Sequence, residues 1–285
     1  MLTTSRIVWD GHYNGRSSAT TGNAMTLEQE NVYLQRVNHV FNHIRTHLTG
    51  DLSLEALAKV AHFSPFHFHR IFKALTGETL NQCVNRLRLE RSVQLLKASP
   101  RLNLIDIALD CGFSSASSFS RAFKIRYNIA PSEWDRHTPL ADERKIRQVF
   151  ADFPQYTAEM LDRSATRQPF SVEIRQLPAQ TLAYIRVMDS YNPENTVSAY
   201  ERLHAWYTQK TSAPTTLYGM SQDDPDITPM EQCRFDWCYR VPDDWQEDGE
   251  ITIQHFPACK LAVVRCDGDI FAVDRTWKAL FNIWL

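Results

Sequence analysis

The chain has 285 residues, 43% hydrophobic and 22% charged, a composition typical of a folded protein that excludes disorder over the whole length. The length is more than one small domain usually needs and suggests two. The net charge of −2 conceals a basic half (residues 27–137, +4) and an acidic half (residues 138–285, −7), an asymmetry typical of a nucleic-acid module fused to another domain, although chance explains it equally well.

Residues 1–26 are rich in Gly, Ser, Thr and Asn and show no usable periodicity. We expect this segment to be disordered, and it lacks the continuous apolar core of a signal peptide. Met25 stands directly before the first helical pattern. A start of translation at Met25 is therefore a hypothesis, which the mass of the native protein would test.

Features of the whole chain exclude several classes of protein and site. No apolar run reaches about 18 residues, so we expect neither a membrane span nor a membrane partner. The six cysteines form no C-x-x-C pair, which favours free thiols in a reducing cytoplasm. The ten histidines show no H-E-x-x-H motif and no zinc spacing, and we expect no metal and no other cofactor.

From Tyr33 to about Trp134, apolar residues recur at helical spacing, and capping residues such as Ser53 divide the pattern into helices. Within this region SLEALAKVAHFSPFHFHRIFK repeats as NLIDIALDCGFSSASSFSRAFK. Each copy predicts a helix, a short turn and a second helix. The segment 80–98 between the copies is long enough to form a rigid helical spacer.

The second helix of each copy has one apolar face, which predicts its buried side: Phe68, Ile71, Phe72 and Leu75 in the first copy, and Phe119, Ala122, Phe123 and Tyr127 in the second. Arg and Lys then occupy the same outward positions in both copies. Such a face can enter the major groove of double-stranded DNA. Two solvated hairpins that bind nothing are the alternative, which the repetition disfavours. The candidate DNA-binding residues are Phe66, His69, Arg70, Lys73, Ala116, Ser117, Ser120, Arg121 and Lys124.

The acidic half shows a different pattern. Residues 138–167 read as a linker, and residues 168–285 alternate as strands do, with VEIRQLPAQTLAYIRV repeated as ITIQHFPACKLAVVRC. A helical pattern follows each copy. The predicted fold is therefore an all-α double helix-turn-helix domain followed by an α+β domain of two strand–helix–strand repeats. The second repeat looks truncated, because the chain stops at Leu285 in or just after its helix.

A groove between the two strand–helix–strand repeats would have aromatic walls, which suit an apolar or cationic ligand. For any single aromatic residue, filling the core is the more common role. The candidate ligand-binding residues are Tyr191, Trp206, Tyr218 and Trp277.

Residues 33–137 resemble the DNA-binding domain of the AraC/XylS transcription regulators, through the two repeats above, RLRLERSVQLL between them and YNIAPSEWDR after them. The resemblance implies base reading by two sets of residues: Phe66, His69 and Arg70 in the first recognition helix, and Ala116, Ser117, Ser120 and Arg121 in the second. It also implies promoter DNA and RNA polymerase as partners.

Residues 170–285 resemble the GyrI-like effector-binding domain in VEIRQLPAQTLAYIRV, YGMSQDDP, CRFDWCYRVP and WKALFNIWL. The resemblance implies a small amphipathic or cationic effector. Together the two resemblances identify a sequence-specific transcription regulator, an activator by expectation, with a ligand-sensing C-terminal domain. Its expected location is the cytoplasm, at the bacterial nucleoid.

Two alternatives remain open. Some GyrI-like proteins hydrolyse small molecules, and Glu173, Asp236 and Tyr191 are the residues that could lie near such a pocket. The sequence shows no nucleophile–base pair and no G-x-S-x-G motif, so we expect no enzyme and no catalytic residue. The other alternative is a DNA-binding protein whose truncated second domain senses nothing.

Overall fold

A computed structural model describes residues 7–8, 27–98, 102–134, 171–225, 227–266 and Thr276. Over 27–134 the described chain is helical, as the sequence predicts. Its helices are α1 (Leu27–Thr46), α2 (Leu54–Val60), α3 (Pro65–Thr76), α4 (Leu80–Ala98), α5 (Leu104–Asp110) and α6 (Ala116–Tyr127).

The sequence repeat is also a repeat of local structure. In the turn between α2 and α3, the Phe63 N–H donates to the Ala58 carbonyl at 3.0 Å, and between α5 and α6 the Phe113 N–H donates to Ala108 at 2.9 Å. In both copies the aromatic residue then packs against the core of its own unit. The helix–turn–helix prediction is confirmed for both copies.

Two hydrophobic cores support the helical part, and α4 belongs to both. Its first half contributes Leu80, Cys83 and Val84 to the core around α1, α2 and α3. Its second half contributes Leu89 and Val93 to the core around α5 and α6. The spacer predicted over 80–98 is thus a shared wall that sets how the two units lie relative to each other.

The acidic half forms an α+β part with antiparallel strands, which confirms the predicted fold class. The strand order is β1-β4-β5-β3-β6 in one sheet and β2-β7 in another. The elements are β1 (Ile7–Val8), β2 (Val172–Leu177), β3 (Gln180–Val187), α7 (Pro193–Lys210), β4 (Leu217–Ser221), β5 (Phe235–Val241), β6 (Thr252–Phe256) and β7 (Cys259–Val264).

Strand β1 comes from the N-terminal segment for which we expect disorder. Ile7 pairs with Gly219 and Val8 with Tyr218, so these two residues extend the larger sheet beyond β4. The other residues of 1–26 lie outside the described part of the chain. Ile7 and Val8 are therefore ordered, because their backbone groups pair with the edge of β4.

The two Pro-interrupted stretches pair with each other instead of folding as separate hairpins. Strand β2 pairs with β7 and strand β3 pairs with β6. The register is the same on both sides of the breaks, since Val172 faces Val264 at one end and Tyr184 faces Thr252 at the other. A proline lacks the N–H that a ladder needs, so Pro178 and Pro257 interrupt both strands at the same level.

Strand β3 is buried along nearly all its length because both of its faces are covered. On one face, α7 packs over a core that includes Ala183, Ile185 and Leu203. On the other face lies a smaller cluster with Leu182 and Tyr184. A strand covered on both sides reads as a continuous apolar run, as LAYI does here.

Several predictions fall on residues outside the described part. These are the linker over 138–167, the domain boundaries beside it, Trp277 and the truncated end of the second repeat. They stay predictions. Among the described helices, none combines the length and apolar character needed to cross a bilayer.

Candidate DNA interface and effector site

Helix α3 presents the predicted outward face to solvent. Phe66, His69, Arg70 and Lys73 are all exposed, and Phe66 is 75% exposed. The opposite face carries the predicted buried residues, with Phe68 and Phe72 inside the first core and Ile71 and Leu75 packed against it. Burial of this apolar face thus fixes which side chains of α3 face solvent.

Helix α6 repeats this arrangement. Ser117, Arg121 and Lys124 are exposed, whereas Ala116 and Ser120 are half-buried. Its first turn is fixed by a capping box, in which Ser115 Oγ accepts from the Ser118 N–H at 3.1 Å. Such a cap holds the N-terminal end of a recognition helix, the end that contacts base edges in helix-turn-helix proteins.

The charged side chains of α3 and α6 are all of one sign. Neither 65–76 nor 116–127 contains an Asp or Glu, so Arg and Lys face solvent without an acidic neighbour on their own helix. The Arg70 guanidinium carbon lies 5.9 Å from the centre of the Phe66 ring, within range of a cation–π contact. Such a face suits phosphates and the acceptor atoms of guanine.

One exposed residue beside this face was not among the predicted site residues. Ile125 is 79% exposed and follows Arg121 by four residues, so both side chains lie on one side of α6. An apolar residue at an outward helical position is a signal that the sequence carried. The predicted site residues follow the outward positions and the base-reading positions that the family resemblance implies, and Ile125 is not among them; the first copy has Ala74 at the matching position.

Two of the predicted ligand residues, Trp206 and Tyr218, lie in different clusters. Trp206 belongs to α7 and packs against the core under that helix, and its indole N–H donates to Asp248 at 3.1 Å. Tyr218 belongs to the cluster on the other face of the sheet and is 8% exposed. Tyr191 is half-buried in the connection before α7, and Trp277 lies outside the described residues. The sheet therefore separates Trp206 from Tyr218.

The face of the sheet that carries Tyr218, opposite α7, contains a buried polar group that the sequence did not predict. Tyr218 OH donates to Gln180 Oε1 at 3.3 Å. Gln180 is 5% exposed, and its Nε2 has no hydrogen-bond partner within the described part of the chain. A lone Gln in an alternating strand carries no signal of burial, which depends on what covers the sheet.

Glu173 and Asp236, which were considered for hydrolysis, each pair with an arginine. Glu173 lies exposed on β2 and accepts from Arg175 at 2.7 Å. Asp236 is 1% exposed and accepts two hydrogen bonds from Arg186, both at 2.8 Å. The described residues bring Glu173 and Asp236 into different sheets, and they contain no His, Cys, Asp and Glu group suited to a metal.

Two family models match the chain. A helix-turn-helix domain model matches residues 57–137, and the model of the GyrI-like small molecule binding domain matches residues 170–285. The first range contains most of the helical part, and the second contains the sheets apart from β1.

Three curated proteins show what the chain is similar to. The probable transcriptional regulator LumQ of Photobacterium leiognathi is 38% identical over 103 residues, 35% of this chain and 41% of LumQ. The transcriptional regulator Rob of Salmonella typhimurium is 25% identical over 215 residues, 73% of this chain and 69% of Rob. The probable transcription factor PqrA of Proteus vulgaris is 31% identical over 108 residues, 37% of this chain and 88% of PqrA. The chain thus spans less than half the length of LumQ, and all three relatives are named as regulators or factors of transcription.

Proposed function

Since the chain belongs to the AraC family of transcription regulators and carries a GyrI-like small molecule binding domain, we propose that it binds promoter DNA and adjusts transcription when its C-terminal domain takes up an effector. One observation carries the DNA-binding part of the proposal. Two equivalent recognition helices, each with exposed Arg and Lys, are held on one shared helix, α4.

The residues of the first recognition helix divide the work by their chemistry. Lys73 is a point charge suited to a phosphate, whereas the planar guanidinium of Arg70 can donate two hydrogen bonds to guanine. Phe66 is apolar and exposed, and the group in the major groove that an aromatic ring contacts favourably is the thymine methyl. The first unit therefore reads a step that contains thymine and guanine.

In the second unit, Arg121 and Lys124 take the roles of Arg70 and Lys73. Ser117 and Ser120 can both donate and accept at base edges, so they discriminate less sharply than a bidentate group. The second half-site is thus expected to tolerate more base changes than the first. Both half-sites lie on one face of the duplex, about 34 Å apart.

The C-terminal domain is proposed to bind a small amphipathic or cationic molecule. Support comes from the face of the sheet that carries Tyr218, where an aromatic ring lies beside Gln180, whose Nε2 has no partner within the described part of the chain. We assign β2–β3 and β6–β7 to two copies of one unit, related by an approximate two-fold axis. Their equal register across the paired proline breaks supports this.

The regulatory role is proposed to be activation in the cytoplasm, at the nucleoid, through contact with RNA polymerase. The relatives, named as regulators of transcription, support regulation over hydrolysis. Nothing in the fixed ion pair of Asp236 favours a hydrolytic role.

Selection from a random pool of duplex DNA tests the proposal. The full chain is expected to enrich one bipartite sequence with two short conserved blocks spaced by about one helical turn. An Arg70→Ala, Arg121→Ala double variant serves as the control and is expected to enrich no sequence. If the DNA that the unmodified chain recovers shares no common sequence, the proposal is contradicted.

A further inference from the structure

The connection between β4 and β5, described at residues 222–225 and 227–234, reaches out of the C-terminal domain and into the helical part. We call it the connecting segment. Its Ile227 is 6% exposed and belongs to the core of the second helix-turn-helix unit, together with Val93 and Phe119. Arg126 of α6 donates to the Ile227 carbonyl at 3.4 Å. A residue of one domain thus completes the core of the other.

A buried group of charges joins the connecting segment to α4. Arg86 is 5% exposed and pairs with Glu78 at 2.6 Å, with Glu90 at 3.1 Å and with Asp223 of the segment at 3.8 Å. Asp223 in turn pairs with Arg234 at 2.6 Å. Losing one partner of such a group leaves a buried charge uncompensated. A position of the connecting segment that separates Asp223 from Arg86 and Arg234 is therefore disfavoured.

A neutral hydrogen-bond donor of the connecting segment also binds α4. Thr228 is 2% exposed, and its hydroxyl donates to Glu90 Oε1 at 2.6 Å. At the more open side, Lys97 pairs with Asp224 at 3.6 Å, where both side chains are about one-third exposed. The buried contacts of Thr228 and Arg86 carry more weight than this half-exposed pair, which solvent screens.

The first helix-turn-helix unit is held by a different part of the C-terminal domain. Helix α1, which lines the first core, places Asn42 between two residues of β3. Its Nδ2 donates to Tyr184 OH at 3.0 Å, and Arg186 donates to its Oδ1 at 3.2 Å. Asn38 donates to Thr252 Oγ1 of β6 at 3.4 Å. The sheet therefore grips the first unit while the connecting segment grips the second.

We propose that the connecting segment is a coupling element through which the C-terminal domain fixes the two recognition helices relative to each other. The inference rests on the proposed DNA-binding function. Two readers that are held rigidly lose little orientational freedom when both bind, so the second binding event follows the first at a high effective concentration. Any change in the C-terminal domain that moves the segment then alters the affinity for the bipartite site without touching a base-contacting residue.

The test uses the full chain and three duplexes: the bipartite sequence that it selects, and the same sequence with either half-site scrambled. Ile227→Ala removes the apolar side chain that enters the core of the second unit. Thr228→Val removes the hydroxyl that donates to Glu90 but keeps the shape of the side chain. Ile253→Ala, which trims an isoleucine packed against the core under α7 and away from the segment, is the matched control.

Ile227→Ala is expected to weaken binding to the bipartite duplex roughly tenfold, which corresponds to about 1.4 kcal/mol, while binding to each half-site duplex stays within about twofold. Thr228→Val should shift affinity in the same direction by a smaller factor, and Ile253→Ala should change none of the three affinities. Equal losses on all three duplexes, or no loss on the bipartite one for either segment variant, would overturn the coupling. Absence of specific binding by the unmodified chain would overturn the proposed function itself.

Discussion

Arg70 and Lys73 lie three residues apart on the exposed side of α3, yet we expect them to contribute to binding in different ways. Arg70→Ala should weaken binding to the specific site by about 1–3 kcal/mol and weaken binding to random DNA much less, because a base-edge contact is lost. Lys73→Ala should weaken both about equally and reduce the salt slope by about 1. Titrations on both DNAs at several salt concentrations separate them. Equal losses for Arg70→Ala on the two DNAs would show a phosphate contact instead.

Phe66 offers a test that changes a single methyl group. If the exposed ring contacts a thymine methyl, uracil at that position should weaken binding by the unmodified chain and leave Phe66→Ala unaffected. Phe66 is 75% exposed, so its removal should leave the free energy of unfolding nearly unchanged. A thymine-to-uracil effect of the same size in both proteins would place the methyl away from Phe66.

At the scale of elements, the two left-handed glycines of the helical part form a matched pair. A Cβ at Gly112 (φ +83°) would lie 2.1 Å from the Leu48 carbonyl oxygen, whereas a Cβ at Gly77 (φ +74°) would meet nothing within 4 Å. Gly77→Ala should therefore cost only the backbone strain of about 1–2 kcal/mol. Gly112→Ala adds the steric conflict and should cost about 2–5 kcal/mol in all. Urea unfolding measures both, and equal losses would mean that Leu48 moves away without cost.

The helices and the repeat between them were predictable because their signals are local. Apolar spacing, the cap at Ser53 and the matching turns all lie within a few residues of the elements that they define. The contact between the connecting segment and the helical part was not predictable, because the sequence QDDPDITPMEQC has the composition of an exposed loop. Ile227 is buried only because another domain surrounds it. The pairing of β2 with β7 likewise joins residues far apart in the chain, which period-two alternation alone does not reveal.

At the scale of the whole molecule, the cysteines report on domain docking. Burial raises the pKa of Cys83 and Cys233, and raises the pKa of Cys111 to about 12, so these thiols are neutral at pH 8. Since the thiolate is the reactive form, all three should be alkylated slowly in the native protein, and the half-buried Cys259 faster. Peptide mass spectrometry after timed alkylation measures each rate.

Cys233 belongs to the connecting segment, so its rate should rise in Ile227→Ala while that of Cys83 stays low. A rise at both cysteines would indicate general loosening of the fold, and no rise at Cys233 would show that Ile227 does not hold the segment in place.

Whether one chain reads two successive grooves is decided by a hydroxyl-radical footprint of the full chain on its selected duplex, combined with the mass of the complex in solution. With α4 holding both recognition helices, we expect two protected stretches on one face of the DNA, about 34 Å apart, in a complex of one chain per duplex. Protection of a single groove, or two protected stretches that appear only with two chains bound, would contradict this.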